Sequence, residues 1–168
     1  MKAVLQRVVS ARVEVDGVSV GEIDHGLLVY VGVAAEDEAR DVAWMAEKVA
    51  GARIFQGATP QDEDKMTRDV RDVGGAILVI SQFTLLGDLR KGRRPNFSAA
   101  MEPVGAERLY ESFVADLRAR EIPVKTGRFR ADMKVTSRND GPVTLVIESP
   151  NERDARIPGA PPTLSSSG

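Results

Sequence analysis

Cysteine is absent from this 168-residue chain, and histidine occurs once, at His25. The first absence removes disulfides, iron–sulfur clusters and thiol nucleophiles. Together they remove every Cys/His zinc site. A Ser-His-Asp triad would have to use His25 or do without. His25 precedes Gly26 in a turn signal and reads as an exposed turn residue. Long apolar runs are also missing: none approaches the roughly 20 residues needed to span a bilayer. The opening MKAVLQRVVSARVEVDG is broken by Gln6, Arg7 and Arg12, so it lacks a signal-peptide core. These absences predict a soluble, cytoplasmic protein with no membrane partner. No large excess of one charge exists either. Lys+Arg is 23 and Asp+Glu 25, a formal net charge of −2, which excludes a strongly basic nucleic-acid coat on average.

What is present is ordinary for a globular domain. Hydrophobic residues are 42% and charged residues 29%, which excludes wholesale disorder and leaves room for one domain. The charge is uneven. Residues 88–138 hold 12 Lys/Arg against 7 Asp/Glu, a balance of +5 that leaves −7 for the rest. That is either one electropositive face or an ordinary solvated surface.

Residues 2–9 and 11–15 read as strand. Asp16-Gly17 signals a hairpin into Val18, Val20 and Ile23, and Leu27–Val33 is a wholly apolar strand. Over 37–51 the period changes, with Val42, Met45, Ala46 and Val49 on one helical face; Asp37 is the predicted cap and Gly51 the stop. Arg53-Ile54-Phe55 reads as a short strand, 57–74 as a long loop and 76–80 as a buried strand. Residues 86–98 read as irregular. A second helix is predicted over 104–119, with Pro103 in its first turn and Val104, Leu109, Phe113 and Leu117 inward. Val124, 131–135 and 143–147 read as strands, the last two joined by a turn at Asn139-Asp140-Gly141-Pro142. The expected fold is a single α/β domain, 1–148, rich in antiparallel strand with two main helices. A flexible tail, rich in Pro, Ser and Gly, is expected over 149–168.

Few motifs carry chemistry alone. Gly87–Gly92 has P-loop glycine spacing, but Arg93-Arg94 stands where Lys-Ser/Thr is required. No carboxylate spacing marks a metal site. Arg90, Lys91, Arg93 and Arg94 put four cations in five residues beside Ser81–Thr84, which suits either a solvated loop or phosphate contacts. Ser81-Gln82-Phe83-Thr84 ends an apolar strand, where polar groups either line a site or satisfy their own backbone.

Taken together, several segments resemble one family. They are Val4-Leu5-Gln6-Arg7-Val8, Gly26–Val33, Asp72-Val73-Gly74-Gly75, Ser81-Gln82-Phe83-Thr84-Leu85, Arg90–Pro95 and Asn139-Asp140-Gly141-Pro142-Val143-Thr144. The chain is similar to the D-aminoacyl-tRNA deacylases, also called D-tyrosyl-tRNA deacylases, from Met1 to about Glu148. The resemblance implies an esterase that removes D-amino acids from tRNA, and glycine mischarged on tRNA-Ala. It implies a homodimer with pockets at the subunit interface and no metal or organic cofactor. It implies a cis Gly141-Pro142 bond that rejects L-amino acids from the other subunit's pocket, supported by Arg7 and carried by the motif of Asn139. Water would be activated with help from the substrate's 2′-hydroxyl, the protein supplying orientation and backbone donors.

By the same resemblance Ser81, Gln82 and Phe83 shape the catalytic pocket, and Thr84 is a candidate nucleophile. Phe129 and Met133 lie near the terminal adenine, where an aromatic face stacks on the base. Arg90, Lys91, Arg93 and Arg94 hold acceptor-stem phosphates. One position departs: Arg130 stands where the family usually has glycine, so either adenine placement changes or Arg130 adds a phosphate contact. The rival reading is a noncatalytic nucleic-acid-binding accessory protein on the same scaffold. A small-molecule esterase would leave the basic half unexplained.

Overall fold

Fourteen residues of continuous strand open the chain in the computed structural model, which describes residues 1–150. Strands are typically about 5–6 residues long, so β1 (Lys2–Val15) is long enough to be shared. Its first half pairs antiparallel with β3 (Gly26–Gly32) and its second half with β2 (Val18–Ile23). Its other edge pairs antiparallel with β8 (Lys134–Glu148) along nearly its whole length. Asp16 and Gly17, both at positive φ, make the expected hairpin between β1 and β2. β6 (Ala76–Ser81) lies parallel to β3, and β7 (Val124–Thr126) parallel to β6. Tight turns suffice for the antiparallel pairs, whereas the parallel pairs need long crossovers. The helices α1 (Ala39–Ala50) and α2 (Pro103–Ala119) lie in those crossovers.

Alternation along the central strands builds two cores. Leu27, Val29 and Val31 of β3 and Ile77 and Val79 of β6 share one core with Met45, Ala46 and Val49 of α1 and Leu109, Phe113 and Leu117 of α2. Leu28, Leu78 and Ile80 point to the other face. There Val8, Ala11 and Val13 of β1 and Ile23 of β2 cover them, with Met133 and Val135 packed alongside. Burial on both faces explains why β3 reads as an unbroken apolar run. The expected class, a mixed α/β domain with two helices and much antiparallel strand, is the observed one.

Several local expectations need correction. Asp37 does not cap α1: its carboxylate accepts from the Ala34 N–H and the Met1 amine, each at 2.5 Å. Glu38 is the N-cap, and its N–H donates to the Asp41 carboxylate at 3.0 Å. Val104 points outward and is 78% exposed. It lies nine positions from Phe113, about half a revolution away at about 100° per residue. The short strand predicted at 53–55 is β4 (Phe55–Gln56), and it pairs with β5 (Met66–Arg68) inside the segment read as loop. The strand predicted from 131 begins at Lys134.

The largest correction concerns Asn139–Pro142. It does not separate two strands: β8 continues through it as a bulge. Gln6 of β1 faces Thr144 and Val8 faces Asn139, so Arg7 alone stands opposite residues 140–143. The surplus residues leave the ladder and bow outward. Asn139 ties the base of the bulge, its Oδ1 accepting from the Val143 N–H at 3.0 Å and its Nδ2 donating to Thr144 Oγ1 at 3.2 Å. Ser149, placed by sequence in the tail, is buried. Its Oγ accepts from the Met1 amine at 2.5 Å and its N–H donates to the Met1 carbonyl at 2.8 Å. Most of the predicted tail, 151–168, lies outside the described residues.

Candidate active site

Two parallel strands deliver their C-terminal ends to one place. β6 ends at Ser81, and the Gln82 N–H donates to the Val31 carbonyl at 2.7 Å, carrying the ladder one residue further. Phe83–Leu86 then winds a single 3-10 turn. Gly32 makes this turn possible: a Cβ there would lie 2.5 Å from Leu86 Cδ2 and 2.8 Å from the Gln82 carbonyl. Just past β7, the Gly127 N–H donates to the Val79 carbonyl at 3.1 Å. The chain then turns back through 128–133 into β8. Between the end of β6 and this returning segment lies a cavity of about 270 Å³.

The cavity wall gathers Ser81, Gln82 and Phe83 from one side and Phe129, Arg130 and Met133 from the other. Phe129 packs against Tyr110, with ring centroids 5.8 Å apart. Burial pushes the Tyr110 hydroxyl pKa above the usual tyrosine value, against a smaller opposing effect of Arg118. The hydroxyl donates to the Val79 carbonyl at 3.0 Å. Thr84 does not line the cavity; its hydroxyl accepts from Gln82 Nε2 at 2.5 Å. Among the described residues, no His, Asp or Glu side chain hydrogen-bonds to Ser81 or Thr84. His25 is at the wrong end of the sheet, its carbonyl accepting from Ala76, the first residue of β6. The one carboxylate in the wall, Asp132, is held by Lys134 Nζ at 2.9 Å from both oxygens. Among the described residues, no three His, Asp or Glu side chains converge to hold a metal ion. Such a wall can orient a substrate and polarise a carbonyl, but it holds no nucleophile–base pair.

Asn139, Gly141 and Pro142 stand apart from this wall. The Gly141–Pro142 peptide is cis, and both residues are exposed. Arg7, 6% exposed, anchors the segment. Its Nε donates to the Asp140 carbonyl at 3.2 Å and pairs with Asp140 Oδ2 at 3.0 Å, while Nη1 donates to the Ile54 carbonyl at 2.7 Å. Gly141 has φ 118°, a value L side chains rarely adopt. A Cβ there would also come within 2.8 Å of Arg7 Nη2.

The basic loop is closed at its base, where Asp88 and Asn96 exchange backbone hydrogen bonds of 2.8 and 2.9 Å. Arg90 is already occupied: its Nη2 lies 2.6 Å from Asp88 Oδ2. The Arg90 side chain and backbone N–H hold the Asp88 carboxyl down at about 2. Lys91, Arg93 and Arg94 are exposed and belong to no ion pair among the described residues. Sequence reasoning missed Phe97, which ties this loop to the cavity. Its ring meets Phe83 edge-on at 5.1 Å and sits over Gly87. It also missed Tyr110 as the support of Phe129. An aromatic just past a Gly/Arg/Pro loop was the available signal for Phe97; none marked Tyr110, whose partner is 19 positions away.

Comparison with known proteins sets this geometry among relatives. The family described as D-Tyr-tRNA(Tyr) deacylase matches residues 4–148. The D-aminoacyl-tRNA deacylase of Sorangium cellulosum (strain So ce56) is 55% identical over 150 residues, covering 89% of this chain and 97% of that protein. The D-aminoacyl-tRNA deacylase of Thermus aquaticus is 54% identical over 150 residues, covering 89% and 95%. Among solved structures, the c-Myc DNA Unwinding Element Binding Protein superposes with TM-score 0.83 at 38% identity, covering 90% of this chain and 100% of that one. A probable eukaryotic D-amino acid tRNA deacylase shares the fold, with TM-score 0.72 at 18% identity over 87% and 97% of the two chains.

Proposed function

The chain belongs to the D-Tyr-tRNA(Tyr) deacylase family, and from that premise we propose that it hydrolyses the ester of D-aminoacyl-tRNA in the cytoplasm. The products are free D-amino acid and tRNA, a chiral proofreading step in translation. Glycine mischarged on tRNA-Ala is a second substrate. The observation that carries the reading is the cavity beyond the end of β6. It sets polar Ser81 and Gln82 opposite Phe129 and Met133 and holds no nucleophile–base pair.

An ester to a ribose hydroxyl is already activated, so orientation and charge stabilisation suffice. Water adds to the carbonyl carbon, helped by the adjacent 2′-hydroxyl of the substrate. The bond to the ribose oxygen then breaks, and that oxygen takes up the proton. The Gln82 N–H is held by the Val31 carbonyl, so the backbone N–H groups at the start of the turn, from Phe83 on, steady the oxyanion. The terminal adenine lies against Phe129 and Met133, and Lys91, Arg93 and Arg94 meet acceptor-stem phosphates, with Arg90 shared with Asp88. The enzyme works as a homodimer, and Gly141 and Pro142 of one subunit enter the cavity of the other. A rigid wall there collides with an L side chain, leaves space on the D side and admits glycine. Their exposure, and their absence from their own cavity wall, support that arrangement.

The test is release of amino acid from matched D-tyrosyl-tRNA and L-tyrosyl-tRNA. The D ester is hydrolysed well above its spontaneous rate while the L ester is spared. If neither ester exceeds that rate, the proposal is overturned. A second reading, nucleic-acid binding without turnover, is favoured by one observation, the 38% identity to a protein whose name states DNA binding. Tight duplex-DNA binding by a chain that releases neither amino acid would favour it.

A further inference from the structure

Arg130 is an unusual choice at its position. Among the described residues, three non-glycine residues have positive φ: Asp16, Glu121 and Arg130. Asp16 sits in the β1–β2 hairpin and Glu121 just past the end of α2, where such values are routine. Arg130, at φ 60°, is the third residue of a turn closed by the Ala131 N–H on the Arg128 carbonyl at 3.2 Å. Glycine fits that turn position without steric penalty, and arginine does not. The neighbours fix the backbone all the same. Phe129 is packed against Tyr110, and Met133 is packed into the second core. Arg130 therefore keeps the turn and adds a long cationic side chain at the cavity wall that Ser81 and Phe83 share. That charge is not used within the fold. Arg130 makes no ion pair among the described residues, and the nearby Asp132 is taken by Lys134. A strained residue at a cavity wall points from the strain to a role in binding.

We infer that Arg130 is a substrate-binding residue whose guanidinium neutralises a phosphate of the tRNA 3′ strand entering the cavity. The inference rests on the proposed function for its ligand. Phe129 and Met133 offer the apolar face a nucleobase needs, and a phosphodiester joined to a nucleoside seated there would come within reach of Arg130 at the same wall. An exposed, planar, permanently charged fork is suited to it.

The experiment compares wild type, Arg130→Gly and Arg130→Lys for D-tyrosyl-tRNA deacylation and for filter binding of uncharged tRNA, both across a salt series. Arg130→Gly raises KM several-fold, by more than it lowers kcat, and reduces the slope of log affinity against log salt by about 0.7. Arg130→Lys keeps the slope. The thermal midpoint of Arg130→Gly does not fall, because glycine accepts this φ. An unchanged KM and slope in Arg130→Gly, or the same loss in Arg130→Lys, would overturn the inference. Uncharged tRNA reads the contact without turnover. A wild type that fails to deacylate while Arg130→Gly still flattens the salt slope would therefore count against the proposed function and for the contact.

Discussion

Thr84 shows how a motif residue can be close to chemistry without performing it. Its hydroxyl is an acceptor for Gln82, it lies off the cavity wall, and His25 is at the far end of the sheet. Replacing a true serine nucleophile lowers kcat about 10⁶-fold. Thr84→Ala is expected to lose less than about tenfold, because only a hydrogen bond that positions Gln82 is removed. Single-turnover deacylation of D-tyrosyl-tRNA measures this, and a loss near the nucleophile value would restore Thr84 to catalysis. Arg7 is the opposite case. Its sequence position offers no reason of its own to single it out, yet its guanidinium joins the Asp140 and Ile54 carbonyls across 133 and 47 positions of chain. Only the resemblance to a family marks it in the sequence.

At the scale of elements, α2 is fastened to β6 by one buried polar contact, the Tyr110 hydroxyl on the Val79 carbonyl. The Val79 carbonyl keeps its bond from the Gly127 N–H, so removing the phenol forfeits one net hydrogen bond, about 0.5–1.5 kcal/mol. Burial raises the Tyr110 pKa above its unfolded value of about 10. Its contribution is therefore complete below pH ~10 and is lost as pH rises toward the folded pKa, at about 1.4 kcal/mol per unit. Tyr110→Phe should be less stable than wild type in urea at pH 8, and that gap should narrow at pH 11. A gap that stays constant would mean the phenol ionises equally in both states. Elements also show where periodicity succeeds and fails. Leu109, Phe113 and Leu117 share a helical face and are buried together. Asn139–Pro142 has the composition of a turn, but β1 offers a partner on both sides of it, and strand pairing overrides local turn preference.

For the whole molecule, β8 is the decisive edge. Among the described residues it pairs only with β1, and its residues include Val146 at 75% exposure and Leu145 at 40%, while Val9 of β1 is exposed as well. An exposed apolar edge strand invites another chain. In the proposed homodimer this surface is covered. Sedimentation equilibrium should give twice the chain mass, and Val146→Asp should give monomers that keep the wild-type circular dichroism. Burying an unpaired charge costs about 3–5 kcal/mol, or about 10²–10⁴ in association, and D-ester hydrolysis should fall with dimer content. A fully active monomer would remove the shared-pocket proposal.

The amino-acid order by itself determined the strands whose faces are both apolar, the two amphipathic helices, the Asp16-Gly17 hairpin and the absence of cysteine chemistry. Each is a local property, set by side-chain period, turn geometry or composition. Tertiary structure alone decided the rest. It brought Ser81–Phe83 against Phe129–Met133, carried β8 through a turn-like tetrapeptide, and diverted Asp37 from capping to the Met1 amine. These depend on which segments meet across dozens of residues, and no periodicity within one segment encodes its distant partner.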